Sequence, residues 1–143
     1  MAVRVQYSQV IDRPVDKVFK FFVVDHIRNH PRWDPDMELI QVTEGPMGVG
    51  IKIHRRNSRS GKPVDGIMEV TEYETDKLLA MNIQDGSTSM VGRTTFEAVD
   101  ENHTRISILI EIPSMDASTD MSKMHEALER SGKIRKQLME SEI

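Results

Sequence analysis

The side chains best suited to chemistry gather in two places. His26 and His30 stand four residues apart, with Asp34 and Asp36 close behind. On a continuous helix that spacing would stack two imidazoles on one face, the start of a metal site. Pro31 argues against it, because proline removes a backbone donor and crowds the preceding turn, so the helix is expected to stop by Asn29. No H-E-x-x-H pattern is present, and the expectation is a pair of solvated loop histidines with no metal. The second place is residues 52–62, where Lys52, Arg55, Arg56, Arg59 and Lys62 occur with no acid among them. In a chain of net charge −4 this is a local positive tip, able to meet anionic lipid head groups, nucleic acid or an acidic partner. The plainer reading is a solvated edge that discourages strand-to-strand aggregation.

Other polar residues are judged by the face they fall on. His54 follows Ile53 and so points away from the apolar set, which argues against a general base, and Arg93 is expected on the solvent face for the same reason. Arg135 differs. It falls near the centre of the apolar arc of the last helix, where a guanidinium must find a partner or snorkel past the end of the sheet. Snorkelling is the expectation; the functional alternative is contact with the carboxylate or phosphate of an amphipathic ligand. Tyr7, Tyr73, Glu69 and Arg135 are the polar groups that could move protons, and only Tyr7 and Arg135 lie on inward faces. No nucleophile elbow, phosphate-cradling loop or dinucleotide fingerprint occurs, and the absence of cysteine removes thiolate chemistry, so no cofactor is called for.

The elements that must position these groups follow from periodicity. Val3, Val5 and Tyr7 alternate with polar residues up to Ile11, as in a strand buried on one face. Pro14 then opens a short helix expected over residues 14–24, and Asp25 caps a second through Ile27. From Met37 the period changes to that of strands, expected over residues 37–44, 49–54, 64–73, 78–83, 88–99 and 105–112, with Asp85-Gly86 a strong hairpin signal. Residues 120–143 form the one long helix, whose apolar arc carries Met121, Met124, Ala127, Leu128, Ile134, Leu138 and Met139. At about 1.5 Å per residue it reaches roughly 30 Å, enough to cross a small domain.

The totals fit one domain. The chain has 143 residues, 38% apolar and 29% charged, with ten methionines but only one tryptophan. No apolar run reaches the roughly 18 residues of a membrane span, and no secretion signal opens the chain, so a cytoplasmic location is expected. The acidic balance argues against nucleic acid as a partner. Oligomeric state is left as monomer or homodimer.

The order βααββββββα resembles the START-like (SRPBCC) superfamily with the helix-grip fold, which includes birch-pollen allergens, lipid-transfer START domains and polyketide cyclase/dehydrase proteins. The resemblance rests on Ser8, on Ile11-Asp12-x-Pro14-x-x-x-Val18-Phe19 and on Trp33-Asp34-Pro35. It also rests on Gly48-x-Gly50 and on Asn102-His103-Thr104-Arg105-Ile106-Ser107. It implies an α+β fold: a seven-stranded curled antiparallel sheet wrapped around a long C-terminal helix, with two short helices between strands 1 and 2. It further implies a small hydrophobic ligand, lipid-like or polyketide-like, held between sheet and helix, or a cyclase/dehydratase-type enzyme using the same space. An interaction module built on residues 52–62 is the remaining alternative. The expected lining begins with the thioethers Met37, Met68, Met81, Met90 and Met124, whose unbranched chains adapt to varied ligands. Strand residues Ile51, Ile53, Phe96 and Ile108 join them, with Leu128 and Arg135 from the helix and Trp33 closing one end.

Overall fold

The computed structural model describes residues 3–116 and 118–143. Strand β1 (Val3–Ile11) is followed by helix α1 (Val15–Phe19), which continues as a π-helical stretch over Lys20–Val24, and by α2 (His26–Trp33). Six strands follow: β2 (Met37–Gln41), β3 (Lys52–Asn57), β4 (Val64–Glu74), β5 (Leu78–Asp85), β6 (Thr88–Asp100) and β7 (His103–Ile112). Helix α3 (Ser122–Glu142) completes the chain. The strands form one antiparallel sheet in the order β1-β7-β6-β5-β4-β3-β2, so the first strand closes onto the last by pairing Val3 with Ile112 and Ile11 with Thr104. Register shifts between Val70 and Glu72 and between Ala98 and Asp100 break the ladders of β4 and β6. Such irregularities bend a strand and increase its twist, and the sheet curls around α3.

Two local expectations are corrected, and the expected first helix gains a detail of form. Pro31 lies inside α2, which runs on to Trp33. The proline forfeits one intrahelical hydrogen bond, but the last turn still closes through Asp34 N–H to the His30 carbonyl at 2.9 Å, and His26, Asn29 and Trp33 are all buried. Burial of three side chains outweighs a local propensity. The strand expected over residues 49–54 begins only at Lys52 and continues to Asn57, and β2 ends at Gln41. Between them Gly45 and Gly50 take φ of 112° and 93°, left-handed values that hold the segment in a loop. Finally, the π-helical stretch adds a residue to the turn, closed by Asp25 N–H to the Lys20 carbonyl at 3.0 Å, so that Phe21, Phe22 and Val23 are all buried in succession.

Helix α3 is fastened at one end. Lys136 Nζ donates to the Val10 carbonyl at 2.6 Å, the Asp12 N–H donates to Glu140 at 2.9 Å, and Arg13 Nε donates to the Ile143 carbonyl at 3.1 Å. Arg32 on α2 forms an ion pair with Glu142. At the middle, Gly132 lies directly on β1: a Cβ there would stand 2.4 Å from the Tyr7 hydroxyl oxygen and 2.5 Å from its ring. Gln9 Nε2 completes the seam by donating to the Gly132 carbonyl at 2.9 Å. The N-terminal half of α3 makes no such bond to the sheet among the described residues: Met121, Ser122, His125 and Glu126 border an open groove beside Arg4, Val5 and Gln6 of β1.

Candidate functional site

Between that unfastened half of α3, helix α2 and the concave face of β3 to β7 lies a cavity of about 130 Å³. A larger hollow of about 660 Å³ is an open surface groove beside Arg4, Gln6, His125 and Glu126, with little to enclose a ligand. The smaller one is the built site. Its wall is apolar over most of its extent, and five methionines contribute: Met37, Met68, Met81, Met90 and Met124.

Polar groups interrupt the apolar wall, and four of them carry its electrostatics. The first is Arg55. In β3 the residues Ile53 and Arg55 share a parity, and both are buried. Arg55 meets Asp85 in a bidentate pair, Nε to Oδ1 and Nη2 to Oδ2 at 2.9 Å each, and Asn57 Nδ2 adds a third donor to the carboxylate at 3.2 Å. Gly66 makes room for this: a Cβ there would lie 1.9 Å from the Gln84 carbonyl oxygen and 2.7 Å from Asp85 Oδ1.

The second and third are the histidines, which are neither solvated nor in a loop. The π-helical stretch exposes the Phe22 carbonyl to the first turn of α2, where His26 Nδ1–H donates to it at 2.8 Å. That fixes the tautomer of His26, so its Nε2 accepts from His30 Nδ1–H at 2.9 Å. His30 Nε2 then faces Asp34 Oδ2 at 3.8 Å, and Asp34 accepts from Arg59 Nη2 at 2.7 Å. The four side chains form a line from the interior to the rim. Burial lowers the His26 pKa to about 3, with the neighbouring His30 adding to the effect. Burial also lowers His30, against the opposing influence of Asp34. Burial alone would raise the Asp34 carboxyl, yet its contact with His30 and the charge of Arg59 hold it below its ordinary value. Two neutral imidazoles therefore line the wall at neutral pH. His26 Nε2 and His30 Nδ1 are engaged with each other, leaving His30 Nε2 toward Asp34, and among the described residues no three His, Asp or Glu side chains converge as metal ligands would.

The fourth is Arg135. It does not snorkel: it is 2% exposed. Its guanidinium carbon lies 5.2 Å from the centre of the Phe22 ring and 5.4 Å from that of Trp33, and Nε donates to Gln9 Oε1 at 2.7 Å. Burial lowers its pKa to about 10. The periodicity placed Arg135 on the inner face; what it did not reveal is that the rings of Phe22 and Trp33 would close over the route to water.

A model of the family described as polyketide cyclase / dehydrase and lipid transport matches residues 2–138. The chain belongs to that family. Its fold is shared with solved structures at low identity. A START superfamily protein from Mycobacterium smegmatis is 10% identical, with a TM-score of 0.76 over 96% of this chain and 97% of that one. Major latex-like protein 151 from Panax ginseng is 14% identical, with a TM-score of 0.72 over 95% and 96% of the two chains. A putative protein of the dynemicin biosynthetic locus is 18% identical, with a TM-score of 0.68 over 98% of this chain and 47% of that one. No curated protein sequence matches the chain.

Within this family member, the residues singled out from sequence divide as follows. Trp33, Ile108, Leu128 and Arg135 reach the cavity wall together with the five methionines. Ile51, Ile53 and Phe96 do not; they are buried in the surrounding core, Phe96 edge-on to Phe19 at 5.1 Å and to Phe22 at 5.4 Å. Of the other proton-moving candidates, Tyr7 lies against Gly132, Tyr73 packs edge-on against Phe19, and Glu69 sits half-exposed opposite Lys52. His54 and Arg93 face outward, His54 toward Asp65 and Arg93 in an ion pair with Glu72. The positive tip is corrected, because neighbouring strands and the C-terminal end of α2 bring acids to it. Arg55 pairs with Asp85, Arg56 with Asp65 and Glu38, Arg59 with Asp34, and Lys52 with Glu69. Sequence reasoning missed the inner role of Arg55, His26 and His30. For Arg55 the signal was present in its parity with Ile53.

No described helix is long and apolar enough to cross a membrane.

Proposed function

We propose that the protein binds a small hydrophobic or amphipathic molecule, lipid-like or polyketide-like, in the cavity between α3 and the sheet. The observation that carries this reading is the cavity lined by five methionines. Thioether side chains fill irregular space and move aside at little cost, so a wall built from them fits ligands of more than one shape. The resting volume of about 130 Å³ lies well under the roughly 300–1,000 Å³ of a typical ligand pocket, and the methionines are the groups that would shift to enlarge it. Membership of a family described by polyketide cyclases, dehydrases and lipid transport supports the same class of ligand. Freshly purified protein, sprayed intact for native mass spectrometry and then extracted, carries a bound small molecule or acquires one from a panel of lipids and polyketides. Protein that stays empty throughout the panel overturns the reading.

One observation favours catalysis in the same space. The His26–His30–Asp34 line puts a bare imidazole nitrogen at the wall, His30 Nε2, with a carboxylate 3.8 Å beyond it. A proton taken from a bound substrate at that nitrogen would leave an imidazolium stabilised by Asp34, the role of a general base in ring closure or dehydration. Under this reading His30→Gln abolishes turnover of a bound substrate while leaving its affinity within about threefold. Turnover unchanged in that variant removes His30 from the chemistry.

A further inference from the structure

The charges on the cavity wall do not balance. Arg55 is matched by Asp85, and Arg59 by Asp34. His26 and His30 are held neutral by burial. Arg135 is left over: among the described residues no carboxylate stands within ion-pair distance of it, and its one hydrogen-bond acceptor is the neutral amide oxygen of Gln9 at 2.7 Å. Its Nη2 is buried without any partner. An ionised group out of water ordinarily has an opposite charge beside it, because the solvation it forgoes is large. The faces of Phe22 and Trp33 supply part of the missing negative potential but no hydrogen-bond acceptor.

We propose that the missing counter-ion belongs to the ligand: the cavity takes an amphipathic monoanion, a carboxylate or ionised enol on an apolar body, with its charged oxygen on the guanidinium of Arg135. The geometry suits that class. The guanidinium lies on one side of a wall that also presents Met68, Met81, Met90 and Met124, so head and body of such a molecule each find their complement. Only one charge is unmatched, which favours a single acidic group over a phosphate carrying two. A guanidinium, which donates hydrogen bonds and carries a charge, also favours an ionised oxygen over an alcohol. The inference rests on the binding function proposed above and adds the chemical class of the ligand.

Octanoate and 1-octanol share an alkyl body and differ in the head. Titrating each into the whole protein, followed by calorimetry and by emission of Trp33, the sole tryptophan and part of the wall, compares them directly. Wild-type protein binds octanoate at least tenfold more tightly than octanol. Arg135→Met, which keeps the volume and removes the charge, loses that preference and retains its octanol affinity. Equal affinity of the wild type for the two compounds overturns the anion proposal and leaves the cavity as a binding site. If neither binds, the anion proposal falls, and the binding function is decided separately by the lipid and polyketide panel. Should Arg135→Met fail to fold, Arg135→Lys and Arg135→Gln divide the cases: the preference persists with lysine and vanishes with glutamine, and a preference that survives in Arg135→Gln assigns it to some other group and overturns the proposal.

Discussion

At the scale of single residues, the arrangement depends on charges held away from water in matched sets. Arg55 and Asp85 are 7% and 9% exposed at their side chains and bonded at two points. Asp85→Asn leaves the guanidinium uncompensated and is expected to lower stability by about 3–5 kcal/mol, whereas Arg55→Met with Asp85→Leu removes both charges and loses far less. Urea unfolding of the two variants beside the wild type measures the difference. The histidines give a pH dependence of known sign. His26 titrates at about 3 in the folded chain against an ordinary 6.5, so between those values the unfolded chain holds a proton that the folded chain does not. Stability is therefore complete above pH 6.5 and declines as the pH falls toward 3, by roughly 2 kcal/mol between pH 7 and pH 5 from this residue. His30 adds to the decline, while His103, raised by its hydrogen bond to Asp100, acts in the opposite sense. Urea midpoints at the two pH values show the loss in the wild type and a flatter profile in His26→Gln. These residues also mark the limit of what the sequence makes legible. Strand parity sends Arg55 inward, but Asp85 lies 30 residues away and meets it only once β3, β4 and β5 are in register. Nothing local to residues 52–62 announces that partner.

At the scale of elements, the division of α3 into a fastened half and an unfastened half has a dynamic consequence. The C-terminal half is tied to β1 and α2 by Lys136, Glu140, Arg13 and the Arg32–Glu142 pair. The N-terminal half contributes Met124, Leu128 and Ser131 to the cavity wall and has a void beneath it. Segments with few packed neighbours open at lower free energy. Amide hydrogens of residues 125–131 are expected to exchange at least tenfold faster than those of residues 134–140, and a bound ligand narrows the gap; equal rates in the free protein would show the helix uniformly held. The periodicity of residues 120–143 identified this helix and its buried face, and alternation identified every strand, because both signals arise from one-sided burial and survive without tertiary detail. Helix α2 was less legible. Pro31 is a strong local stop, and only the burial of His26, Asn29 and Trp33 under α3 and the sheet explains why the helix passes through it.

At the scale of the whole molecule, the sheet closes β1 onto β7 and leaves its interior incompletely filled. The ligand's identity was never legible in the sequence, since a cavity's volume and the position of its unmatched charge emerge only when all seven strands and three helices are assembled. That unfilled space makes the protein soft to compression. Void volume eliminated on unfolding contributes to the volume decrease that pressure exploits, and the cavity of about 130 Å³ is part of it. Hydrostatic pressure should thus unfold the free protein readily, and a bound guest, by occupying the space that pressure would otherwise eliminate, should raise the midpoint even where its effect on thermal melting is small. Trp33 emission recorded under rising pressure, with and without octanoate, reports the shift from inside the hollow itself.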